Sequence, residues 1–284
     1  MAGWLERVRR LLGATRRDPP PTAPGEGRRA ALPGPVLLAH PVPLAPARPS
    51  GGEAAGGPAP RFRLAVDDAG ETLIVRGDRL TLGHLRAGQA DLAFLADVGP
   101  LHAELVRSES LREGSVWRIR PGRGEVVKID GREVSAEGAL LHAGARVTLG
   151  LNLAFRVAVP DDASRTILLV LEGAAECAGA RTVALFGDGE GAALRIGPGE
   201  RRHVCVPGLE HEISLVLRGG RLLVRCEAGV GRPREARADV FLLSFPPPER
   251  VDLLVGPGRG SRPPFALTLF PVDSPRGGPG GGGR

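Results

Sequence analysis

The chain has few of the residues that disulfide frameworks and metal clusters require. Only three cysteines occur in 284 residues, and none belongs to a CxxC pair. An odd, scattered set predicts neither a disulfide framework nor a zinc knuckle. Because Cys205 and Cys226 lie in alternating apolar segments, we expect free thiols that act as small buried hydrophobic groups. His203 and Cys205 lie two residues apart, yet with His211 they form too scattered a set to predict a metal site.

The common catalytic motifs are also missing. Lys128 is the only lysine and follows Val127, so the chain has no P-loop. His211-Glu212 resembles the start of a zincin motif, but Leu215 stands where the second histidine belongs. No Gly-x-Ser-x-Gly elbow occurs, and the glycine-rich stretches at 187–191 and 256–260 open no helix within a βαβ unit. We therefore expect a protein without catalytic activity or cofactor.

Long apolar runs are absent as well. No run approaches the roughly 20 residues that a membrane-spanning helix needs, and the N-terminus has no apolar core typical of a signal peptide. We therefore expect a cytoplasmic location. The net charge of +6 comes mainly from arginines outside residues 61–163. Within residues 61–163 the positive and negative charges nearly balance. Specific nucleic-acid binding is therefore not expected, since it needs clustered cations.

The two ends differ in composition from the middle. In residues 1–17, apolar side chains from Trp4 to Leu12 recur at helical spacing among arginines, which predicts a short basic amphipathic helix over 3–12. This helix either docks on a membrane surface or a protein groove, or is a frayed terminus with helical spacing by chance. Residues 18–60 are rich in Pro, Ala and Gly and are predicted to be a disordered linker. Residues 274–284 are predicted to be a disordered glycine-rich tail.

Between these ends the apolar residues alternate with a period of two, and glycines separate short runs. This pattern is typical of antiparallel β-sandwiches and predicts an all-β protein. We assign one sandwich to residues 61–163 and a second to 164–273. Leu194–Gly197 echoes Leu80–Gly83, and His211–Ile213 echoes the run at His102. The second sandwich is therefore either a diverged copy of the first or an unrelated β-domain.

Four short runs in the first sandwich follow a known order. They are Leu82-Gly83, Leu101-His102-Ala103-Glu104-Leu105, Val147-Thr148-Leu149-Gly150 and Ala154-Phe155-Arg156-Val157. This order of β-type segments and turns resembles the forkhead-associated (FHA) domain. The resemblance implies an antiparallel β-sandwich that binds phosphothreonine on partner proteins. It also implies structural roles for Gly83, His102 and Gly131, with His102 supporting the recognition loops from beneath and His211 in the equivalent place of the second unit.

The residues that hold phosphate in this family differ here. The resemblance places His84 where the family has Arg, Gly99 where it has Ser, and Asp130 where it has Asn. A neutral imidazole lacks the guanidinium fork, Gly99 has no hydroxyl, and a carboxylate at Asp130 would repel phosphate. The remaining candidate donors are Arg86, Arg107 and the backbone amide of Gly99. In the second unit Pro198 follows Gly197, so we expect no phosphate site there.

These observations predict a non-catalytic adaptor of FHA type whose partner is another protein. Phosphothreonine recognition is expected to be weakened or lost. One alternative is a genuine phosphothreonine reader in Ser/Thr kinase signalling, with a partner phosphorylated on Thr. A second alternative is a membrane-peripheral structural scaffold anchored through residues 3–12.

Overall fold

The computed structural model describes residues 58–67, 69–110, 114–161, 164–189, 191–256 and 265–272. All regular elements in these ranges are β-strands, apart from a 3-10 turn at Leu85–Ala87, which confirms the predicted all-β class. No helix among these residues is long and apolar enough to cross a membrane. The predicted helix at 3–12, the linker up to residue 57 and the tail at 274–284 lie outside the described residues.

The strands of the described ranges are, in chain order, β1 (Arg61–Val66), β2 (Gly70–Arg76), β3 (Arg79–His84), β4 (Leu92–Phe94), β5 (Ala103–Ser110), β6 (Gly114–Pro121), β7 (Val127–Ile129), β8 (Arg132–Glu133), β9 (Ala139–Leu140), β10 (Arg146–Leu149), β11 (Leu153–Ala158), β12 (Thr166–Leu171), β13 (Thr182–Phe186), β14 (Ala193–Gly197), β15 (Val204–Cys205), β16 (Ile213–Arg218), β17 (Arg221–Gly231), β18 (Ala238–Ser244), β19 (Val251–Val255) and β20 (Phe265–Pro271).

The first sandwich packs two sheets around one core. One sheet has the order β4-β3-β5-β6-β9, and the facing strands have the order β13-β12-β11-β10-β7-β8 within a longer sheet. Leu80 and Leu105 from the first sheet and Phe155 and Leu169 from the second are fully buried in this core. The alternation seen in the sequence arises because every second side chain of each strand faces the core.

The second sandwich has a similar strand order with fewer facing strands, and its β17 also pairs with the facing strand β19. Its outer sheet runs β15-β14-β16-β17 with β18 paired to β17, and the facing strands run β2-β1-β20-β19. β14 pairs parallel with β15 and antiparallel with β16, as β3 pairs with β4 and β5. The sequence echo at Leu194–Gly197 therefore corresponds to an equivalent place in the topology. The core contains Leu194, Leu215 and Val224.

The two sandwiches share the strands between them. β2 pairs parallel with β13, so β1, β2, β12 and β13 lie side by side in one sheet. On β12, Leu169 faces the first core whereas Leu168 faces the second core. A strand buried on both faces is a nearly continuous apolar run, and β12 has that composition, Thr-Ile-Leu-Leu-Val-Leu.

The hairpins are distributed across the predicted boundary between residues 163 and 164. β12–β13, from the second half of the chain, lies beside β11 in the first sandwich. β1–β2, from the first half, lies beside β20 in the second sandwich. Each sandwich therefore takes a hairpin at the same place in its sheet order, and one sheet runs through both.

Candidate functional site

His102 lies beneath three loops at one end of the first sandwich. The residue directly precedes β5 and is 2% exposed. Its Nδ1 lies 3.1 Å from the Gly99 amide nitrogen, and its Nε2 lies 3.0 Å from the Val126 carbonyl oxygen and 3.2 Å from the Gly150 amide nitrogen. One imidazole thus joins the loop before β5 to the β6–β7 loop and the β10–β11 turn.

Gly83 and His84, at the end of β3, pack against the same loops. A side chain at Gly83 would place its Cβ 1.9 Å from the Pro100 carbonyl oxygen, so only glycine fits. The His84 amide donates to the Gly99 carbonyl oxygen over 3.0 Å. The structure therefore brings together Gly83, His84, Gly99 and His102.

The His84 side chain is used locally. Its Nδ1 accepts a hydrogen bond from the Arg86 amide over 3.1 Å and caps the 3-10 turn at Leu85–Ala87. Arg86 itself is exposed, and its guanidinium makes no ion pair within the described ranges. Of the predicted phosphate donors, Arg86 is thus the cation that lies beside these loops.

Glu125 is the important residue that the sequence reasoning missed. Its Oε2 lies 2.8 Å from Nδ1 of His102. A Cβ atom at Gly99 would lie 2.0 Å from the Glu125 Oε1 atom, so the carboxylate fills the space that a side chain at position 99 would need. An acidic residue in the glycine-containing loop at 122–126 was the available signal.

The two partners of His102 Nδ1 require different protonation of the ring. Nδ1 must carry a proton to donate to Glu125, and it must present a lone pair to accept from the Gly99 amide. The same alternative exists at Nε2, between the Val126 carbonyl and the Gly150 amide. The loops therefore satisfy this ring in either neutral tautomer.

Asp130 and Gly131 form the β7–β8 turn and lie away from His102. Their φ angles are 50° and 81°, which suits an Asp-Gly hairpin turn. The Asp130 carboxylate accepts from the Arg146 amide over 2.9 Å and lies 3.3 Å from Nε2 of His142. Since Asp130 lies four residues beyond Val126 across strand β7, roughly 13 Å away, the acidic group at the His102 loops is Glu125 and not Asp130.

Arg107 does not reach these loops either. It lies four residues beyond the start of β5, roughly 14 Å along the strand. Its guanidinium is buried and donates to Asp78 Oδ1 over 2.8 Å, to Ser115 Oγ over 2.6 Å and to Glu109 over 3.3 Å. The structure thus assigns Arg107 to an ion-pair cluster at the opposite end of the strand.

The loops around His102 expose apolar side chains. Five large hydrophobic residues there are solvent-exposed, with Leu95 at 73% and Leu151 at 85%. We define the loop-end surface as the set Leu85, Leu95, Leu101, Val126 and Leu151 together with Glu125. The loops also support one another, since the Asp97 amide donates to Asn152 Oδ1 over 2.9 Å. Exposed apolar side chains on neighbouring loops at one end of a sandwich are typical of interaction surfaces.

In the second sandwich His203, and not His211, is the buried histidine. His211 is exposed, whereas His203 is 5% exposed. His203 Nδ1 accepts from the Arg195 amide over 3.1 Å, so its proton lies on Nε2, which donates to Ser164 Oγ over 2.8 Å. Burial lowers the pKa of His203 from 6.5 to about 4.

The Ser164–His203 pair is not arranged for nucleophilic catalysis. The Ser164 hydroxyl donates its proton to the Asp161 carbonyl oxygen over 2.7 Å, whereas a nucleophile must donate to the imidazole that activates it. Within the described ranges, no group of three or more His, Cys, Asp or Glu side chains is placed to hold a metal ion. Cys177 and Cys226 are buried free thiols, and Cys205 is partly exposed.

Comparisons with known proteins identify no family. No family model matches the chain, and no curated protein matches it. Among solved structures, the chain is similar to the Slr1951 protein from Synechocystis sp., at 24% identity over 34% of this chain and 93% of that one, with a TM-score of 0.26.

Proposed function

We propose that this chain is a non-catalytic protein-binding module of FHA type that has lost phosphothreonine recognition and binds an unmodified partner through the loop-end surface. The position of Glu125 carries the proposal. Its carboxylate lies beside Gly99 and His102, where the FHA resemblance puts the phosphate-holding serine loop. A phosphate brought to this place would meet a negative charge at short range, which is unfavourable.

The donors around the site also support loss of phosphate binding. Nδ1 of His84 accepts from the Arg86 amide, which leaves only Nε2 to face a ligand, and Arg107 is committed to Asp78 far along β5. Only Arg86 remains as a nearby guanidinium among the predicted donors. A doubly charged phosphate is normally held by several charge-assisted hydrogen bonds, so a single exposed guanidinium is a weak substitute.

The apolar loops support binding of an unmodified segment. Leu95 and Leu151 expose most of their side chains, and covering such groups with partner side chains is favourable by about 25 cal/mol per Å² of apolar area. The backbones beneath are held by His102 and by the Asp97–Asn152 bond. A rigid scaffold that presents apolar loop tips is a common arrangement for protein recognition.

The proposal is tested on the full chain with an array of peptide pairs identical except for phosphate on Thr. We expect binders whose dissociation constants change less than about twofold on phosphorylation and which weaken about tenfold in the Leu95→Ser and Leu151→Ser variants. Leu140→Ser, at an exposed leucine on the far strand β9, is the matched control. Peptides that bind at least about tenfold tighter when phosphorylated would instead establish a phosphothreonine reader.

The alternative of a membrane-peripheral scaffold depends on residues 3–12, which lie outside the described residues. Co-sedimentation of the full chain with anionic vesicles tests it, using a Trp4→Ser/Arg9→Glu variant as the comparison. Equal sedimentation of both proteins would remove this alternative.

A further inference from the structure

β18 is a long edge strand on the outer sheet of the second sandwich. It has seven residues, and among the described strands it pairs only with β17. The other edge strands, β4, β8, β9 and β15, have two or three residues each. Edge strands are usually kept short or charged because their free amides and carbonyls can pair with another chain. β18 contains no Lys, Arg or Pro and a single acid, Asp239.

The outward face of β18 is apolar. Phe241 and Leu243 point inward and pack against the second core, whereas Val240 and Leu242 point outward and are 38% and 54% exposed. Leu242 lies opposite Leu223 on β17, which in turn lies opposite Val216 on β16. This apolar row crosses the outer sheet and ends at the free edge.

Arginines flank the apolar row on both sides. Arg225 lies in the row of Val240, and Arg221 lies in the row of Ser244. Arg218 is the cross-strand partner of Arg221. All of these arginines are exposed, and within the described ranges none takes part in a salt bridge.

The acidic groups near this face only partly neutralise these arginines. Glu212 is already paired with Arg195 and Arg202. Glu227 on β17 and Asp239 on β18 line the same pocket as Arg225. Three exposed arginines thus face two carboxylates that are unpaired among the described residues, and the outer sheet combines an apolar row with a small excess of positive charge beside an unpaired edge.

We propose that the free edge of β18 binds an extended segment of a partner protein with the pattern acidic-x-apolar-x-acidic. The partner's backbone adds a strand to the sheet. Its apolar side chain lies beside Leu242, and its two acidic side chains lie in the rows of Arg225 and Arg221. Strands lie about 4.8 Å apart, so an arginine on β17 and a carboxylate on the added strand meet across β18. This surface is separate from the loop-end surface and does not depend on it.

The test uses the full chain and two fluorescein-labelled peptides, Ser-Glu-Thr-Leu-Thr-Glu-Ser and its twin with Lys in place of both Glu. We expect the acidic peptide to bind at least about tenfold tighter in fluorescence anisotropy. The double variant Arg221→Glu/Arg225→Glu should reverse this preference, and Arg132→Glu, an exposed arginine on β8, should leave it unchanged. Equal binding of both peptides, or no binding of the acidic one, overturns the proposal.

A third peptide tests strand addition itself. N-methylation of alternate backbone amides on the acidic peptide removes the ladder hydrogen bonds, so binding should be lost; unchanged binding would mean that the edge is not used. Leu95→Ser should have no effect, which separates this surface from the loop-end surface. If anionic vesicles or single-stranded DNA bind more tightly than the peptide and depend on the same arginines, the surface serves a lipid or nucleic acid and the proposal fails.

Discussion

Asp78 and Asp188 each accept a hydrogen bond from the backbone amide of the other. The Asp188 amide donates to Asp78 Oδ1 over 2.9 Å, and the Asp78 amide donates to Asp188 Oδ2 over 3.2 Å. Each follows a glycine directly after an equivalent strand, β2 or β13, and these two strands form the parallel pair between the sandwiches. The reciprocal bonds therefore join the turns that follow these two strands.

Asp78 is expected to contribute more to stability than Asp188. Its carboxylate also pairs with the Arg107 guanidinium, whose side chain is 3% exposed. Asp78→Ala leaves that buried cation with one exposed carboxylate, Glu109, so we expect a loss of about 2 kcal/mol of unfolding free energy in urea titrations. Asp188→Ala should cost about 1 kcal/mol. Equal, negligible effects of both substitutions would contradict the arrangement.

His203 should make stability depend on pH. Its pKa falls from 6.5 to about 4 on folding, so the unfolded chain takes up a proton at a higher pH than the folded chain. The contribution is fully present above pH 6.5 and is lost as the pH falls toward 4, a total of about 3 kcal/mol. Urea unfolding at several pH values should show that the free energy of unfolding depends less steeply on pH in this window for His203→Gln than for the parent chain. The exposed His211 supplies the control, and His211→Gln should behave like the parent chain.

Gly99 and Glu125 should be energetically coupled. Gly99→Ala places a Cβ where the Glu125 carboxylate lies, so the carboxylate must move and its contact with His102 is lost. We expect Gly99→Ala to lower the free energy of unfolding by about 1–2 kcal/mol. In a Glu125→Ala background the same change should cost much less, because the space is then free. Additive effects of the two substitutions in a double-mutant cycle would show that the carboxylate lies elsewhere.

The shared hairpins predict that both sandwiches unfold together. Leu215 is fully buried in the second core, and Trp117 is buried in the first. In a Trp4→Phe background, Leu215→Ala should lower the free energy of unfolding by about 3 kcal/mol. The unfolding transition followed by Trp117 fluorescence should then occur at a lower urea concentration. A Trp117 transition that does not move would mean that the two cores unfold independently.

Some features of the candidate site were predictable. His102 lies between apolar residues next to a strand. The resemblance to the FHA domain predicted that Gly83, His84 and Gly99 lie near it, and these residues are neighbours in the structure. Asp130 was predicted at the site because it precedes Gly131, as the family's Asn precedes a Gly, and Arg107 was predicted as a donor that could swing into a shifted site. Their actual positions depend on the turn at the end of β7 and on the length of β5, which motif spacing does not specify.

The sequence by itself determined the all-β class, because a period-two apolar pattern with glycine turns can bury one face only as strands. It also indicated the equivalence of β3 and β14 through the echo at Leu80–Gly83 and Leu194–Gly197. Only the tertiary structure decided that the hairpins β1–β2 and β12–β13 lie together between two cores and that Glu125 fills the space beside Gly99. Both features depend on contacts between residues far apart in the chain. A local pattern predicts which face of a strand is apolar, but it does not predict which partner strand covers that face.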